Sequence, residues 1–178
     1  CPDCDGYEVR GCTTAVIGSG DAGAGMAAAI SYWTDQITLI NQEQRPISER
    51  LMKKMNELNV TILDTPVQSI EQEDGVIQAV QLVNGERLPV EKGFVAMGNH
   101  DVRSSVATQL GVERLENGHI VTDPRTRMTN INQVWAAGDV ALYSEQVTIA
   151  MGEGAQAAIW MHKALRKMAK VQKEPALV

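Results

Sequence analysis

The chain has 178 residues, 44% of them hydrophobic, and a formal net charge of -6. This size allows one or two domains with a buried core, and the acidic balance argues against non-specific binding to nucleic acid or to an anionic membrane. No apolar stretch is long enough to cross a bilayer and no signal peptide opens the chain, so we expect a soluble, cytoplasmic protein. Three cysteines are too few for a disulfide framework, so a close pair indicates redox chemistry or metal binding.

The first third of the chain predicts a strand, a glycine-rich turn, a helix and a second strand. Runs rich in β-branched residues at 13–18 and 37–40 flank an alanine-rich segment at 21–32. This order is that of a βαβ unit. Apolar residues at helical spacing between 47 and 59 predict a second, amphipathic helix.

The next segment predicts an antiparallel meander inside this α/β domain. Asp74-Gly75 and Asn84-Gly85 have the composition of two-residue hairpin turns. They fall among short strand-like runs at 60–63, 67–73, 76–83, 87–91 and 93–98.

The last part of the chain predicts further strands and a terminal helix. A polar connection with a short helix at 98–116 precedes two strand-like runs, 118–123 and 133–140. A long helix is expected at about 146–169, with cations in its last turns that complement the helix dipole. Residues 171–178 are expected to form a frayed tail.

The first chemical motif is the glycine-rich sequence Gly18-Ser19-Gly20-Asp21-Ala22-Gly23. It follows a predicted strand and opens a predicted helix, the context in which such a motif binds a dinucleotide. Gly18 would allow the tight turn, Gly20 the approach of a pyrophosphate, and Gly23 the close packing of helix and strand. A packing turn without a ligand is the alternative.

The end of the second predicted strand determines which ribose a dinucleotide site accepts. An acidic residue there binds a ribose hydroxyl, whereas arginines bind a 2′-phosphate. The stretch is Asn41-Gln42-Glu43-Gln44-Arg45, in which Glu43 and Arg45 are expected to neutralise each other. The sequence therefore predicts no phosphate clamp.

Cys1 and Cys4 are separated by two residues, a spacing compatible with a redox pair, with half of a metal site, or with neither. A metal site would need more ligands, and Cys12, His100, His119 and His162 lack ligand spacing. A redox pair is favoured, because a C-x-x-C loop lowers a thiol pKa and keeps a resolving thiol nearby. Asp5 could transfer the proton that disulfide exchange requires, or it could be a turn aspartate. Cys12 is expected to be a small buried hydrophobe.

Gly138-Asp139 ends the predicted strand QVWAAGDV, where a carboxylate can bind a polyol hydroxyl. The order C-x-x-C-D-G, strand, G-x-G-x-x-G, meander, FVAMG and VWAAGDV resembles the low-molecular-weight thioredoxin reductase family of flavoprotein disulfide reductases. The resemblance extends from Cys1 to about Arg166. It implies an α/β fold with a Rossmann-like three-layer nucleotide-binding domain and a β-meander at 1–97. The C-terminal part of an FAD-binding domain would follow at 98–170.

The resemblance also implies roles for individual residues. Cys4 would lie next to the flavin, Cys1 would attack the partner disulfide, and Asp5 would act as acid and base. Asp139, after Gly138, would bind the ribityl or phosphate side of FAD, and Gln146 would lie near the flavin ring. The implied cofactors are FAD in the intact protein and NADPH or NADH. The implied partners are a thioredoxin-like protein or a small disulfide, with a homodimer as the expected assembly.

Three departures from the family pattern affect these expectations. Asn41-Gln42-Glu43 replaces the His-Arg-Arg that binds the 2′-phosphate of NADPH, and Gly25-Met26 replaces an acidic pair. The N-terminal FAD segment of the family has no counterpart in this sequence. We therefore expect a fragment that is inactive by itself.

The leading functional hypothesis is an FAD-dependent disulfide oxidoreductase that passes electrons between the flavin and a Cys1/Cys4 disulfide. An alternative in the same class uses a donor other than NADPH, either as a ferredoxin-linked enzyme or in reverse as a dithiol oxidase. An alternative from another class is a non-catalytic nucleotide-binding module in which the cysteines only pack.

Overall fold

The computed structural model describes residues 1–98, 101–142 and 145–171. The chain divides into two compact units, Cys1–Asn99 and His100–Val178. His100 and the tail from residue 172 onward lie outside the described residues, so what the sequence predicts for them stays a prediction. The assignment of 1–97 and 98–170 to different cofactor domains also stays a prediction.

The N-terminal unit alternates short helices and strands. In chain order its elements are α1 (Pro2–Asp5), a 3-10 turn (Gly6–Val9), β1 (Thr14–Gly18), α2 (Gly20–Ile30), β2 (Ile37–Asn41), α3 (Glu49–Glu57), β3 (Thr61–Leu63), β4 (Val67–Glu73), β5 (Val76–Leu82), β6 (Arg87–Pro89) and β7 (Lys92–Ala96).

A four-stranded parallel sheet in the order β3-β2-β1-β7 forms the middle layer of this unit. The predicted βαβ unit is present, because β1 and β2 pair in parallel through Thr14 and Ile37 with α2 as the crossover. The membership of β3 and β7 in the meander was predicted wrongly. β3 follows the crossover helix α3 and so pairs in parallel with β2, and β7 returns to pair in parallel with β1.

The antiparallel meander consists of three strands in the order β4-β5-β6. Asp74 and Gly75 both have positive φ angles, of 51° and 80°. Two successive positive φ angles are typical of the type I′ hairpin turn that the Asp-Gly pair predicts. Gly85, with a φ of 85°, lies in the turn between β5 and β6.

Alternate residues of the central strands face opposite layers, which makes this a three-layer α/β unit. Val16 and Leu39 pack with Ile30 and Met55 of the helical layer. Their neighbours Ala15 and Ile40 pack instead with the meander, in a second cluster whose other buried members are Val80, Leu82 and Val90. Each fully buried aliphatic side chain of this kind stabilises the fold by about 1.5–3 kcal/mol. The Rossmann-like fold class is thereby confirmed.

The C-terminal unit contains a 3-10 turn (Ser105–Leu110) and the long helix α4 (Val147–Val171). The predicted strands 118–123 and 133–140 are absent as strands from the described residues. Only isolated bridges form there, such as Ile120 with Ala141 and Met128 with Trp135. The apolar pattern was correct, since Ile120 and Ala136 are buried in one cluster with Val112. A strand also needs a neighbour that continues the ladder, and each run meets its neighbour at single positions.

None of the helices in the part of the chain that the structure describes is long and apolar enough to cross a membrane.

The glycines of α2 provide a test of how closely this helix packs on the sheet. A Cβ at Gly23 would lie 3.0 Å from the Gly18 backbone and 3.0 Å from Leu39 Cδ1, whereas a Cβ at Gly25 would meet nothing within 4 Å. We predict that Gly23→Ala lowers the free energy of unfolding by about 1–3 kcal/mol through overpacking. Gly25→Ala, the matched control, should raise it by about 0.5–1 kcal/mol through helix propensity. Urea unfolding followed by circular dichroism measures both, and equal effects would contradict this account of the packing.

Glu91 provides a pH-dependent test of how β1 and β7 are joined. Its Oε2 accepts the Thr13 N–H at 2.8 Å and the Thr13 hydroxyl at 3.0 Å, and these bonds lower the pKa of Glu91 below its ordinary value of 4.5. A lowered pKa adds stability above the unfolded-state pKa, and this stability is lost as the pH falls through the folded-state value. We predict that Glu91→Gln destabilises the protein at neutral pH and that the difference from wild type vanishes in acid. Urea unfolding across the acid range checks this, and a difference from wild type that stayed constant from neutral to acid pH would contradict it.

Candidate functional site

The turn between β1 and α2 leaves no room for side chains at its first and third glycines. A Cβ at Gly18 would lie 2.4 Å from the Gly23 Cα and 2.9 Å from the Ala96 carbonyl oxygen. Gly20 has a φ of +51°, and its Cβ would lie 3.0 Å from the Pro46 carbonyl oxygen. The turn therefore shows the close helix–strand packing that the motif predicts, and the structure adds a left-handed backbone at its second glycine.

A cavity of about 330 Å³ lies over this turn, at the carboxyl edge of the parallel sheet. The first turn of α2 forms part of its wall, and backbone N–H groups at a helix N-terminus favour an anion. A pyrophosphate fits this chemistry. The residues that line the cavity are Ser19, Gly20, Asp21, Ala22, Arg45, Pro46, Met97 and Gly98.

A second cavity, of about 440 Å³, lies beside the first at the ends of β2 and β3 and shares Arg45 and Pro46 with it. It also contains Asp64, which the sequence analysis missed. The available signal was an acidic residue directly after the third parallel strand, at the same sheet edge. The lining residues of this cavity are Asn41, Gln44, Arg45, Pro46, Ile47, Met52, Ile62 and Asp64.

Asn41, the last residue of β2, connects the two cavities. Its Oδ1 accepts the Gly20 N–H at 3.0 Å, and its Nδ2 donates to the Arg45 carbonyl oxygen and to Asp64 Oδ1, both at 2.9 Å. Asn41 is only 4% exposed. A buried amide with all these partners fixes the glycine turn relative to the segment after β2.

The two acidic candidates of this region contact the protein itself. Asp21 Oδ1 accepts the Ser48 N–H at 2.7 Å and so fixes the start of α3. Glu43 forms an ion pair of 2.9 Å with Arg45, as the sequence predicts. Gly20 and Asp21 therefore line one cavity, and Glu43 contacts its lining residue Arg45. Gly18 and Gly23 belong to the turn but do not line the cavity.

The dithiol candidates lie on one helical turn. Cys1 precedes α1, and its carbonyl oxygen accepts the N–H groups of Cys4 at 3.1 Å and Asp5 at 2.9 Å. The Cys1 nitrogen also lies 3.2 Å from Asp5 Oδ2. All three side chains are exposed, and both thiols are free. The structure therefore brings Cys1, Cys4 and Asp5 together, as neighbours three and four residues apart on a helix.

Gly6 attaches this turn to the rest of the unit. A Cβ there would lie 2.4 Å from Trp33 Nε1, and Val9, at the end of the same segment, is 1% exposed in the main core. Trp33 lies just beyond the C-terminal end of α2, whereas the glycine turn lies at its start. Gly6 therefore attaches the dithiol turn to the Trp33 side of the unit.

Cys12 is the third cysteine, and a metal site was one of the alternatives for the cysteine pair. Cys12 lies half-buried just before β1, where its Sγ is 3.8 Å from the Arg10 carbonyl oxygen. Among the residues that the structure describes, no cluster of three or more His, Cys, Asp or Glu side chains could hold a metal ion.

In the C-terminal unit, a buried carboxylate holds the Gly138-Asp139 turn. Gly138 has a φ of +78°, and its N–H donates to Glu153 Oε2 at 2.9 Å. Glu153 is 4% exposed and forms an ion pair of 3.2 Å with Arg127. Asp139 itself is exposed, so this arrangement presents its carboxylate to solvent.

Gln146 lies immediately before α4 and is half-buried. Its carbonyl oxygen accepts the Ala150 N–H at 2.9 Å, which makes it the residue that begins the helix. The sequence analysis named Gln146 and missed Glu153 and Arg127. No local pattern marks those two, because the fold brings them together from distant positions in the sequence.

Residues 1–154 match the family model described as pyridine nucleotide-disulphide oxidoreductase. The chain therefore belongs to the pyridine nucleotide-disulphide oxidoreductase family. Within it the chain resembles thioredoxin reductases. It is 30% identical over 167 residues to the thioredoxin reductase of Mycolicibacterium smegmatis, an alignment that covers 89% of this chain and 53% of that protein.

Two further comparisons extend the resemblance. The chain is 31% identical over 178 residues to the thioredoxin reductase of Coxiella burnetii, covering 89% of this chain and 54% of that protein. It superposes on the crystal structure of HlmI with a TM-score of 0.81 at 25% identity, covering 97% of this chain and 53% of that one. The chain thus spans about half the length of the two thioredoxin reductases and of HlmI.

The Glu153 network gives a prediction for the C-terminal unit. Removing one partner of a buried ion pair leaves the other charge desolvated, so we predict that Glu153→Ala lowers the free energy of unfolding by about 3–5 kcal/mol. The Gly138 amide should also exchange its hydrogen faster. Circular dichroism during urea unfolding and amide exchange by NMR measure the two effects. Glu116→Ala, at an exposed position, is the control, and equal losses from the two changes would contradict the role of this network.

Proposed function

We propose that the chain is part of a thioredoxin-reductase-like, FAD-dependent disulfide oxidoreductase. The observation that carries this proposal is the exposed, free pair Cys1 and Cys4 on one helical turn, in the same unit as the glycine turn. A module that only binds nucleotides has no need of two exposed, closely spaced thiols. The names of the thioredoxin reductase relatives support the same reaction class.

The proposed reaction at the dithiol is an exchange with a thioredoxin-like protein or a small disulfide. The Cys1 thiolate attacks one sulfur of the substrate, forms a mixed disulfide and releases one substrate thiol. Cys4 then attacks Cys1 Sγ, which closes the Cys1/Cys4 disulfide and releases the second thiol. Asp5, one turn from Cys1, takes and returns the proton of the attacking thiol.

The cofactor roles follow the same proposal. FAD, when bound, supplies the two electrons that reopen the Cys1/Cys4 disulfide. Asp139, presented beside Gly138, would hold a hydroxyl or phosphate of FAD, and Gln146 would direct the start of α4 towards the flavin ring. The turn formed by Gly18, Gly20 and Gly23, with Asp21 and Glu43 nearby, would hold NADPH or NADH. The intact protein would be a cytoplasmic homodimer.

A second candidate in the same class uses an electron donor other than a nicotinamide, as a ferredoxin-linked enzyme or as a dithiol oxidase. The observation that favours it is the loss of positive charge at 41–43, where Asn41, Gln42 and Glu43 stand. The dithiol chemistry is the same in both candidates. They differ in where electrons enter and in which direction they flow.

The test replaces one thiol in the intact, FAD-loaded protein. We predict that Cys4→Ser slows flavin reduction by dithiothreitol or by a reduced thioredoxin by at least about 100-fold, because no thiol next to the flavin remains. Anaerobic stopped-flow absorbance at the flavin band measures this rate. Cys12→Ser is the matched control and should react as wild type. A Cys4→Ser variant as fast as wild type would refute the dithiol mechanism and favour the non-catalytic module.

A further inference from the structure

The cavity walls at the carboxyl edge of the parallel sheet carry more negative than positive charge. Among the described residues that line the two cavities, Arg45 is the one cation, and Asp21 and Asp64 are acidic. The N-terminus of α2 attracts a pyrophosphate, but NADH and NADPH share that group. The side chains after β2 and β3 must therefore distinguish NADH from NADPH.

The last residue of β2 and the two that follow it are engaged in contacts within the protein. Asn41 binds the Gly20 N–H, the Arg45 carbonyl oxygen and Asp64. Gln42 Oε1 accepts the Val67 N–H at 2.7 Å. Glu43 pairs with Arg45 at 2.9 Å. These side chains have structural partners, and none of them adds a positive charge.

Arg45 is the residue to which a 2′-phosphate would have to bind. Its side chain is 37% exposed, and its guanidinium already pairs with the Glu43 carboxylate. Its carbonyl oxygen accepts the Asn41 Nδ2–H, and its Cβ lies 3.1 Å from the position that a Cβ on Gly20 would take. A phosphate would therefore have to displace Glu43 and would still meet that carboxylate nearby.

Asp64 adds a second carboxylate to the same cavity. Its Oδ1 accepts a hydrogen bond from Asn41, and the exposed side chain is directed into the space between the ends of β2 and β3. A carboxylate accepts hydrogen bonds from the two hydroxyls of a ribose and repels a dianionic phosphate.

We propose that this site takes NADH in preference to NADPH, with Asp64 and the Glu43–Arg45 pair as the specificity-determining groups. The proposal rests on the flavoprotein function above and specifies which nicotinamide cofactor would supply its electrons. Asp64 accepts hydrogen bonds from the adenosine ribose. The ion pair with Glu43 occupies the Arg45 guanidinium, which is then not free to bind a 2′-phosphate.

The experiment is titration calorimetry of the full chain with NADH and with NADPH, each at low and at high salt. We expect NADH to bind at least about tenfold more tightly at low salt. High salt should narrow this ratio, because it screens the repulsion between the 2′-phosphate and the two carboxylates. NADPH binding as tightly as NADH, or more tightly, would overturn the proposal.

Two variants test whether Glu43 and Asp64 cause the preference for NADH over NADPH. Glu43→Arg releases Arg45 and adds a cation, so the ratio of the two affinities should fall by about tenfold or more. Asp64→Asn keeps an oxygen acceptor for Asn41 and removes the charge, so NADPH should bind more tightly. Glu73→Arg, on β4, makes the same charge change as Glu43→Arg and should leave the ratio unchanged. A preference for NADH that survives both Glu43→Arg and Asp64→Asn would overturn the assignment.

Failure of this proposal can be distinguished from failure of the proposed function. If the chain binds neither nucleotide, the preference is refuted. The Cys4→Ser experiment uses a dithiol as reductant and needs no nucleotide, so its outcome tests the disulfide chemistry independently. Loss of nucleotide binding together with a Cys4-dependent flavin reaction would point to the ferredoxin-linked or dithiol oxidase alternative.

Discussion

The contact between Gly18 and Gly23 is the constraint on which the N-terminal unit depends. A strand and the helix that follows it approach so closely there that a methyl group on Gly18 would collide with the Gly23 backbone, and one on Gly23 would be a tight contact with the Gly18 backbone. This approach places α2 against Val16 and Leu39, and so fixes the main core. It also places Asp21 and Ala22, in the first turn of α2, in the wall of the cavity above the turn, while the Gly20 N–H is bound by Asn41. The packing of the core and the shape of this cavity are therefore consequences of the same short distance.

The hydrogen bonds of Asn41 extend this constraint across the sheet edge. A histidine or an arginine at the end of β2 would present a cation to the cavity. The amide of Asn41 instead connects the Gly20 backbone with Asp64 and with the segment after β2. The amide is buried and its partners are on three separate segments. Its loss would therefore disturb both the glycine turn and the cavity residues Arg45 and Asp64. Asn41, which departs from the family pattern, therefore removes a positive charge and also forms hydrogen bonds that stabilise the turn.

Features that depend on local sequence were predictable, and features that depend on distant partners were less so. Glycine spacing and hydrophobic periodicity predicted the βαβ unit, and Asp74-Gly75 predicted a hairpin, because turn conformation is local. The sequence did not reveal that β3 and β7 join the parallel sheet, since strand pairing is settled by elements far along the chain. The same reason explains the missed Asp64 and Glu153, whose partners are Asn41, Gly138 and Arg127. The runs at 118–123 and 133–140 show that an apolar pattern predicts which residues are buried more reliably than it predicts which residues pair as strands in a sheet.

The position of Gly6 against Trp33 limits which residues can follow the C-x-x-C-D segment. A Cβ at Gly6 would lie 2.4 Å from Trp33 Nε1, and Trp33 packs against the main core. A larger residue there would displace the indole or move the turn that carries Cys1 and Cys4. The exposed thiols therefore depend for their placement on a backbone contact that leaves no room for a side chain, and this surface turn is as restricted in sequence as a core position.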